Sequence, residues 1–458
     1  MMFSDNVRLV RQIDTCLDEK VPIRLGINKK NELLRLIYEI VRRDNVSPAE
    51  LWDRIEMGLL MEEGKGEIFH KIKRRLMRIR YPSAVQENEA RLVPLEIVPD
   101  DKDCGGGDLS YKLRTIFVEK GVSGLEWTKN LLLNFPGAKV IEIKTLKEGA
   151  GLLNEKDPVK RYNKRREVLF LVRNKDSFIK ACPCTREYKR CGYLVLNIGF
   201  GCPMDCAYCY LQLYSNAHGL VLPANIEEYY SHIRDLDRKV KQRTRVGTGE
   251  FTDSLALDRY TGYSSLLIPF FRKTKNLVLE LKTKAGDIEN VLGQEPHGNA
   301  VISWSMNAEK IAENYEKGGV SINERLSAAC MAAERGYKIG FHFDPIVYYN
   351  GWEDAYRKVV DKIFSRDVIR KNTVWISLGT LRYTPGLKQI AEKRFADCGI
   401  YYEGEFFESD DGKMRYPYKL RADIYGKMVR WIRGMGVDAW VYPCMEPVGI
   451  WNEIGSKY

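Results

Sequence analysis

Three cysteines crowd into one short stretch of this chain, Gly201-Cys202-Pro203-Met204-Asp205-Cys206-Ala207-Tyr208-Cys209. Their spacing is C-x3-C-x2-C, and 11 cysteines scattered at random over 458 positions would produce it with a chance of roughly 0.6 per cent. Three thiolates on one loop can hold three irons of a [4Fe–4S] cube, whereas structural zinc takes four protein ligands, commonly from C-x2-C pairs. The fourth iron is then left open. Such an iron can bind a small molecule through amino and carboxylate groups, and a reduced cube can pass it an electron. The loop therefore reads as the seat of a reactive cofactor.

Other residue types able to do chemistry follow. Gly247 and Gly249, ahead of Glu250, permit close backbone approach to a ligand, and Glu250 can accept a hydrogen bond from an ammonium group. Read alone, a GxG is equally a turn. Lys284, Ser305 and His342 lie at or near the ends of strand-like runs, although a histidine there is equally a core residue and Asp344 before Pro345 equally a turn cap. Cys182, Cys184 and Cys191 offer three loosely spaced ligands for a second metal. Cys444, in Tyr442-Pro443-Cys444-Met445-Glu446, is either a buried thiol or a reactive one. Cys16, Cys104, Cys330 and Cys398 read as incidental.

These residues need elements to position them. From about residue 191 strand-like runs at 193–198, 245–249, 277–282, 300–306, 338–343 and 373–379 alternate with stretches long enough for helices. One helix is expected at 321–335, opened by Ser321 with Glu324 three residues on, a capping box, and another at 352–364. Six strands each followed by a helix or helical loop imply an α/β fold with a parallel sheet and right-handed crossovers, open or curled into part of a barrel. Ligands bind such sheets at the carboxyl ends of the strands, where the cysteine loop falls. Apolar residues at three-and-four spacing make residues 5–80 helical, and breakers from 81 to 107 form a linker. The expected division is a helical region with its linker at 1–100, a small α/β unit at 110–190, the barrel at 191–400 and a basic, aromatic extension at 401–458.

Composition bounds the partners. Cysteine makes up about 2.4 per cent of the chain, far below a disulfide scaffold, so a reducing cytoplasm is the expected compartment. The longest apolar runs are too short to span a membrane, and the N-terminus shows no export signal. The net charge of +11, from 73 Lys and Arg against 62 Asp and Glu, favours polyanionic partners. Basic segments at 160–166, 238–245 and 413–421 could neutralise phosphates, with Tyr416 and Tyr418 stacking on an extruded base. Each could equally be a solvated face.

The loop, with Tyr208 before its last cysteine, resembles the signature of radical S-adenosylmethionine enzymes, and Cys209-Tyr210-Leu211-Gln212 resembles the spore photoproduct lyase family among them. Further matches are Gly247-Thr248-Gly249-Glu250 with Asp253-Ser254, Glu280 to Lys284, Ser303-Trp304-Ser305, Phe341 to Pro345 and Trp375 to Gly379. The resemblance implies a partial (β/α)6 TIM-like barrel, a [4Fe–4S] cluster and S-adenosyl-L-methionine. It implies a 5′-deoxyadenosyl radical, an external one-electron reductant, and repair of a methylene-linked thymine dimer in DNA. It also implies that Gly247, Gly249 and Glu250 bind the cofactor's amino group, with Lys284, Ser305 and His342 beside adenosyl or substrate groups. One feature departs from the family. Its members return a hydrogen atom to the product from a cysteine just after the second strand, where this chain has Phe251. Cys444, Tyr208 or Tyr210 would then be the donor, or the chemistry differs. The rivals are a radical enzyme acting on RNA or another substrate, and a non-catalytic nucleic-acid-binding protein stabilised by zinc or a cluster.

Overall fold

The computed structural model describes residues 2–60, 68–84, 91–95, 112–175, 178–214, 218–395 and 398–455. The chain divides into two compact units, one of Asp108–Ile346, Gly351–Gly379 and Ala422–Tyr458, the other of Met1–Gly107, Val347–Asn350 and Thr380–Arg421. Cys104 and the glycine run at 105–107, expected at a boundary, lie outside the described residues.

The larger unit is built on a curled half-barrel sheet. Seven strands lie side by side in chain order: Leu194–Leu196 (β1), Thr244–Gly247 (β2), Leu277–Thr283 (β3), Ala300–Ser305 (β4), Lys338–Ile346 (β5), Thr373–Thr380 (β6) and Trp440–Pro443 (β7). The registers from β1 through β5, and between β6 and β7, are parallel. An edge strand, Ile179–Ala181, pairs antiparallel with β1. All six expected strands are present. The seventh, β7, is too short for its four residues to show a period. β3 and β4 are covered on both faces, which is why Leu277, Val278, Leu279 and Ala300, Val301, Ile302 read as unbroken apolar runs.

Helices return the chain between strands. Ile322–Arg335 begins as its sequence dictates, with Ser321 Oγ accepting from the Glu324 N–H at 3.2 Å and the Glu324 carboxylate from the Ser321 N–H at 3.0 Å. Trp352–Phe364 also forms where expected. Among the described residues no helix is long and apolar enough to cross a membrane.

The same unit holds a second parallel sheet, in the order Lys139–Ile143, Thr115–Glu119, Val168–Val172, Leu220–Pro223. Phe117 and Phe170 stack at 4.9 Å in its core. Its last strand comes from beyond the cysteine loop, outside the 110–190 range. Phe200, at the loop's entrance, exchanges two backbone hydrogen bonds with Val221, each 2.9 Å. The small sheet and the loop are thereby fastened together.

The smaller unit contains the helices Met2–Lys20, Ile27–Asp44, Pro48–Leu60 and Ile68–Arg80. Leu33, Leu36, Ile37 and Ile40 bury the stripe their spacing announces. The unit also takes in Pro385–Arg394 and an antiparallel sheet of Arg382–Tyr383, Met414–Arg415 and Phe407–Glu408. Buried ion pairs join the two stretches of chain, Lys388 Nζ to Glu39 at 2.5 Å and Arg35 to Glu392 at 2.8 Å, and Arg80 Nε pairs with Glu39 at 2.7 Å within the first. The boundary expected at 401 falls inside this unit, and residues 422–458 belong to the barrel, which they supply with β7. Contacts such as Lys388 to Glu39, 349 residues apart, leave no trace in local pattern.

Candidate active site

Cys202, Cys206 and Cys209 follow β1 at its carboxyl end, Cys206 buried and the others half-buried. The loop's backbone is tied by the bridge of Asp205–Cys206 with Glu316–Lys317 and by the Gly201 N–H to the Phe251 carbonyl, and side chains add to this fixing. Buried Gln212 donates Nε2 to the carbonyls of Cys206, Ala207 and Cys209 at 3.2, 3.0 and 3.1 Å. Arg165 donates Nε to the Cys202 carbonyl at 2.9 Å and Nη2 to Asp205 Oδ1 at 2.7 Å, its guanidinium 3.9 Å from the Tyr162 ring centre. Arg166 takes the other Asp205 oxygen. Of the segment 160–166, Arg165 and Arg166 are thus committed to the loop, while Lys160 is exposed.

Burial pushes the Cys202 thiol up to about 12 and raises those of Cys206 and Cys209. Thiolates held here need a cation beside them, and iron is one. Among the described residues no three His, Cys, Asp or Glu side chains are grouped as a single metal ion would require. Three thiolates on one loop, each able to bind its own iron, are the donor chemistry a cube takes. The donor set fits the cube. Cys182 and Cys184 bring their sulfurs within 3.3 Å, while the Cys191 sulfur faces Arg245 Nη2 at 3.4 Å.

Several expected site residues surround this loop. Tyr210 donates its hydroxyl to the Glu250 carbonyl and, at 3.1 Å, to the Glu250 carboxylate. Tyr208 donates to Glu316, which pairs with Arg325 at 2.6 Å and accepts from Asn307 at 3.1 Å. Lys284 Nζ lies 6.0 Å from the Tyr208 ring centre. Burial works against its charge, but Cys206 and Glu316 outweigh burial and raise its pKa. The glycines are closely packed against neighbouring side chains. A Cβ on Gly247 would lie 1.8 Å from the Tyr193 hydroxyl and one on Gly249 2.8 Å from Lys282 Cβ, so what approaches their backbone is the protein itself. Asp253 accepts from Thr283 Oγ1 at 2.6 Å and from the Lys284 N–H at 2.8 Å, tying the end of β2 to the end of β3.

Inside the barrel, fully buried Glu280 accepts from Ser303 Oγ at 2.6 Å, His342 Nε2 at 2.8 Å and Trp375 Nε1 at 2.7 Å. Arg245 Nε stands 3.5 Å from its other oxygen, and the guanidinium is enclosed by the rings of Tyr193, Trp375 and Tyr442 at 4.9, 5.0 and 5.1 Å. Burial opposes the Glu280 charge, but Arg245 and His342 outweigh it and hold the carboxyl well below the usual range. Burial lowers the His342 pKa. Ser305 offers its carbonyl to Arg325 Nη1 at 3.0 Å. Sequence reasoning missed this hub, although a carboxylate inside the run Leu277-Val278-Leu279-Glu280-Leu281 signals a buried partner.

Of the remaining basic segments, 413–421 is largely internal and 238–245 largely exposed. Tyr416 is buried, its hydroxyl accepting from the Tyr348 N–H at 3.0 Å and its ring 4.4 Å from Phe406, so it is not open to stack on a base. Lys413 and Arg415 pair with Asp411. Tyr418 is exposed. Of 238–245, Arg245 is inside the barrel, whereas Arg238, Lys239, Lys241 and Arg243 are exposed.

A family model described as Spore photoproduct lyase matches residues 139–423, well over half of the chain. The chain belongs to the spore photoproduct lyase family. It is 27% identical over 238 residues to the spore photoproduct lyase of Bacillus subtilis (strain 168), covering 50% of this chain and 66% of that protein. It is 24% identical over 267 residues to that of Clostridium acetobutylicum, covering 57% and 76%. Among solved structures, a spore photoproduct lyase complexed with dinucleoside spore photoproduct superposes with a TM-score of 0.63 at 20% identity, over 73% of this chain and 99% of that one. A mutant of spore photoproduct lyase with bound AdoMet and dinucleoside spore photoproduct gives 0.64 at 20% identity, over 72% and 98%. The spore photoproduct lyase fold, a radical S-adenosylmethionine half-barrel, is thus shared, and residues 1–138 lie outside the family match.

Proposed function

We propose that this protein is a radical S-adenosylmethionine lyase that repairs the methylene-linked thymine dimer of DNA, with a [4Fe–4S] cluster on Cys202, Cys206 and Cys209. The observation that carries the reading is the triple-cysteine loop at the end of β1, fixed by Gln212 and Arg165, in a chain of the spore photoproduct lyase family. When bound, the cluster and S-adenosylmethionine supply a 5′-deoxyadenosyl radical for hydrogen abstraction.

The chain's own residues prepare the site for that chemistry. Three thiolates are the soft ligands iron prefers, and the clamps on their carbonyls hold the loop before metal arrives. Glu250 presents a carboxylate to an ammonium group, and Tyr210 orients it. Buried Met204 and Leu211, with Phe200 beside them, exclude water from a radical. The relatives' names and the dinucleoside spore photoproduct in the solved structures support the lesion as substrate. The +11 charge and the exposed Arg238, Lys239, Lys241 and Arg243 support a DNA partner. Reduced cysteines and the need for an external one-electron donor suit a cytoplasm.

Anaerobic reconstitution with iron and sulfide, then reduction with S-adenosylmethionine and lesion dinucleotide, tests the reading. The expected products are 5′-deoxyadenosine and the repaired dinucleotide with two separate thymines, with both lost when Cys202, Cys206 or Cys209 is replaced by Ala. Abundant 5′-deoxyadenosine beside unchanged dimer would overturn the substrate and leave a radical enzyme of another specificity.

A further inference from the structure

The hydrogen atom that ends the repair needs a donor, and Phe251 carries none. Its carbonyl accepts from the Gly201 N–H at 2.9 Å and its ring lies 6.0 Å from that of Phe200. A pair of thiols stands nearby. Cys182 extends the edge strand by donating its N–H to the Tyr193 carbonyl at 3.1 Å, and Pro183 turns the chain so that the Cys184 N–H donates back to the Cys182 carbonyl at 2.8 Å. That turn sets the two sulfurs 3.3 Å apart. The Tyr193 side chain packs against Gly247, three residues before Glu250, and Glu250 receives the hydroxyl of Tyr210 from the cysteine loop. The hydrogen bond it shares with Cys184, then burial, then the Glu250 charge all keep the Cys182 thiol protonated, the form that can give up a hydrogen atom.

We propose that Cys182 and Cys184 are the thiol pair that returns a hydrogen atom to the product radical, an inference that rests on the function proposed above. The S–H bond of Cys182 breaks and a C–H bond forms on the product carbon, leaving one unpaired electron on sulfur. Cys184 releases its proton to solvent and its sulfur shares that electron in a sulfur–sulfur bond. One electron from the external reductant and two protons then restore both thiols. If a one-electron acceptor such as oxidised viologen takes the shared electron instead, the pair closes as a disulfide.

Two readouts test this. The reconstituted protein is turned over with lesion dinucleotide, and repaired dinucleotide formed per 5′-deoxyadenosine is compared with that of Cys182→Ala and Cys184→Ala. Both variants should still make 5′-deoxyadenosine, which reports an intact cluster site, while the ratio falls by about tenfold or more for Cys182→Ala and less for Cys184→Ala. Separately, trypsin releases residues 181–186 as one peptide holding both cysteines. After turnover with oxidised viologen that peptide should be two hydrogens lighter, and it should keep its mass in a Cys202→Ala protein treated alike. An undiminished ratio in both variants, or a peptide of unchanged mass after turnover, overturns the thiol pair alone. Failure of the unsubstituted protein to convert the dimer while making 5′-deoxyadenosine overturns the function and this inference together.

Discussion

Glu280 and Gln212 each hold in place what the backbone ladders leave loose. A carboxylate with no exposure is costly unless paired, and Glu280 meets Arg245, His342, Ser303 and Trp375. Replacing Glu280 with Gln keeps the shape and removes the charge, leaving the Arg245 guanidinium buried without its counter-ion. A loss of about 3–5 kcal/mol is expected in urea denaturation. An unchanged midpoint would mean that the aromatic rings alone stabilise the guanidinium. Gln212 acts on the loop instead of the core. One carboxamide reaching three carbonyls contributes about 1–3 kcal/mol to the loop's order. The Gln212→Ala protein should release iron to a chelator several-fold faster than the original while its urea midpoint shifts little; equal release rates would remove Gln212 from the loop's support.

The same distinction explains which elements were legible in the sequence. β3 and β4 announced themselves because a parallel strand covered on both faces must be largely apolar, and Ile322–Arg335 because Ser321 and Glu324 cap it. The cysteine loop was legible because three iron ligands on one turn need fixed spacing. What stayed hidden depends on partners far along the chain. A run of Lys and Arg looks alike whether it meets phosphates or a buried carboxylate, and Asp205 lies 40 residues from Arg165. Gly247 likewise signalled close approach without saying to what. A Cβ there would sit 1.8 Å from the Tyr193 hydroxyl, so β1 and β2 cannot keep their register around it unless Tyr193 moves. Gly247→Ala should therefore cost about 1–3 kcal/mol, as overpacking does, and lower the iron bound on reconstitution. Full stability with full iron would show that Tyr193 yields freely.

Of the two compact units, only the barrel carries the cysteine loop, and the helical one is organised around charge. Glu39 is fully buried among Arg35, Arg80 and Lys388. Burial works against its ionised form, but Lys388, Arg80 and Arg35 outweigh burial and hold the carboxyl well below its ordinary 4.5. A carboxyl depressed in the folded state contributes stability that is fully present above its unfolded value and is lost as pH falls from there toward the folded one. Stability should hold near neutrality and fall off below about pH 4.5, where the unfolded chain takes a proton the folded chain refuses. Glu39→Gln removes that dependence and leaves three buried cations with one carboxylate fewer. The expected result at pH 7 is a loss of about 3–5 kcal/mol, with the acid limb of the urea midpoint against pH flattened. The alternative is that Glu392 and the backbone carbonyls at Tyr401 and Gly404 satisfy these cations unaided. In that case the variant would unfold at the original midpoint and keep the original acid limb.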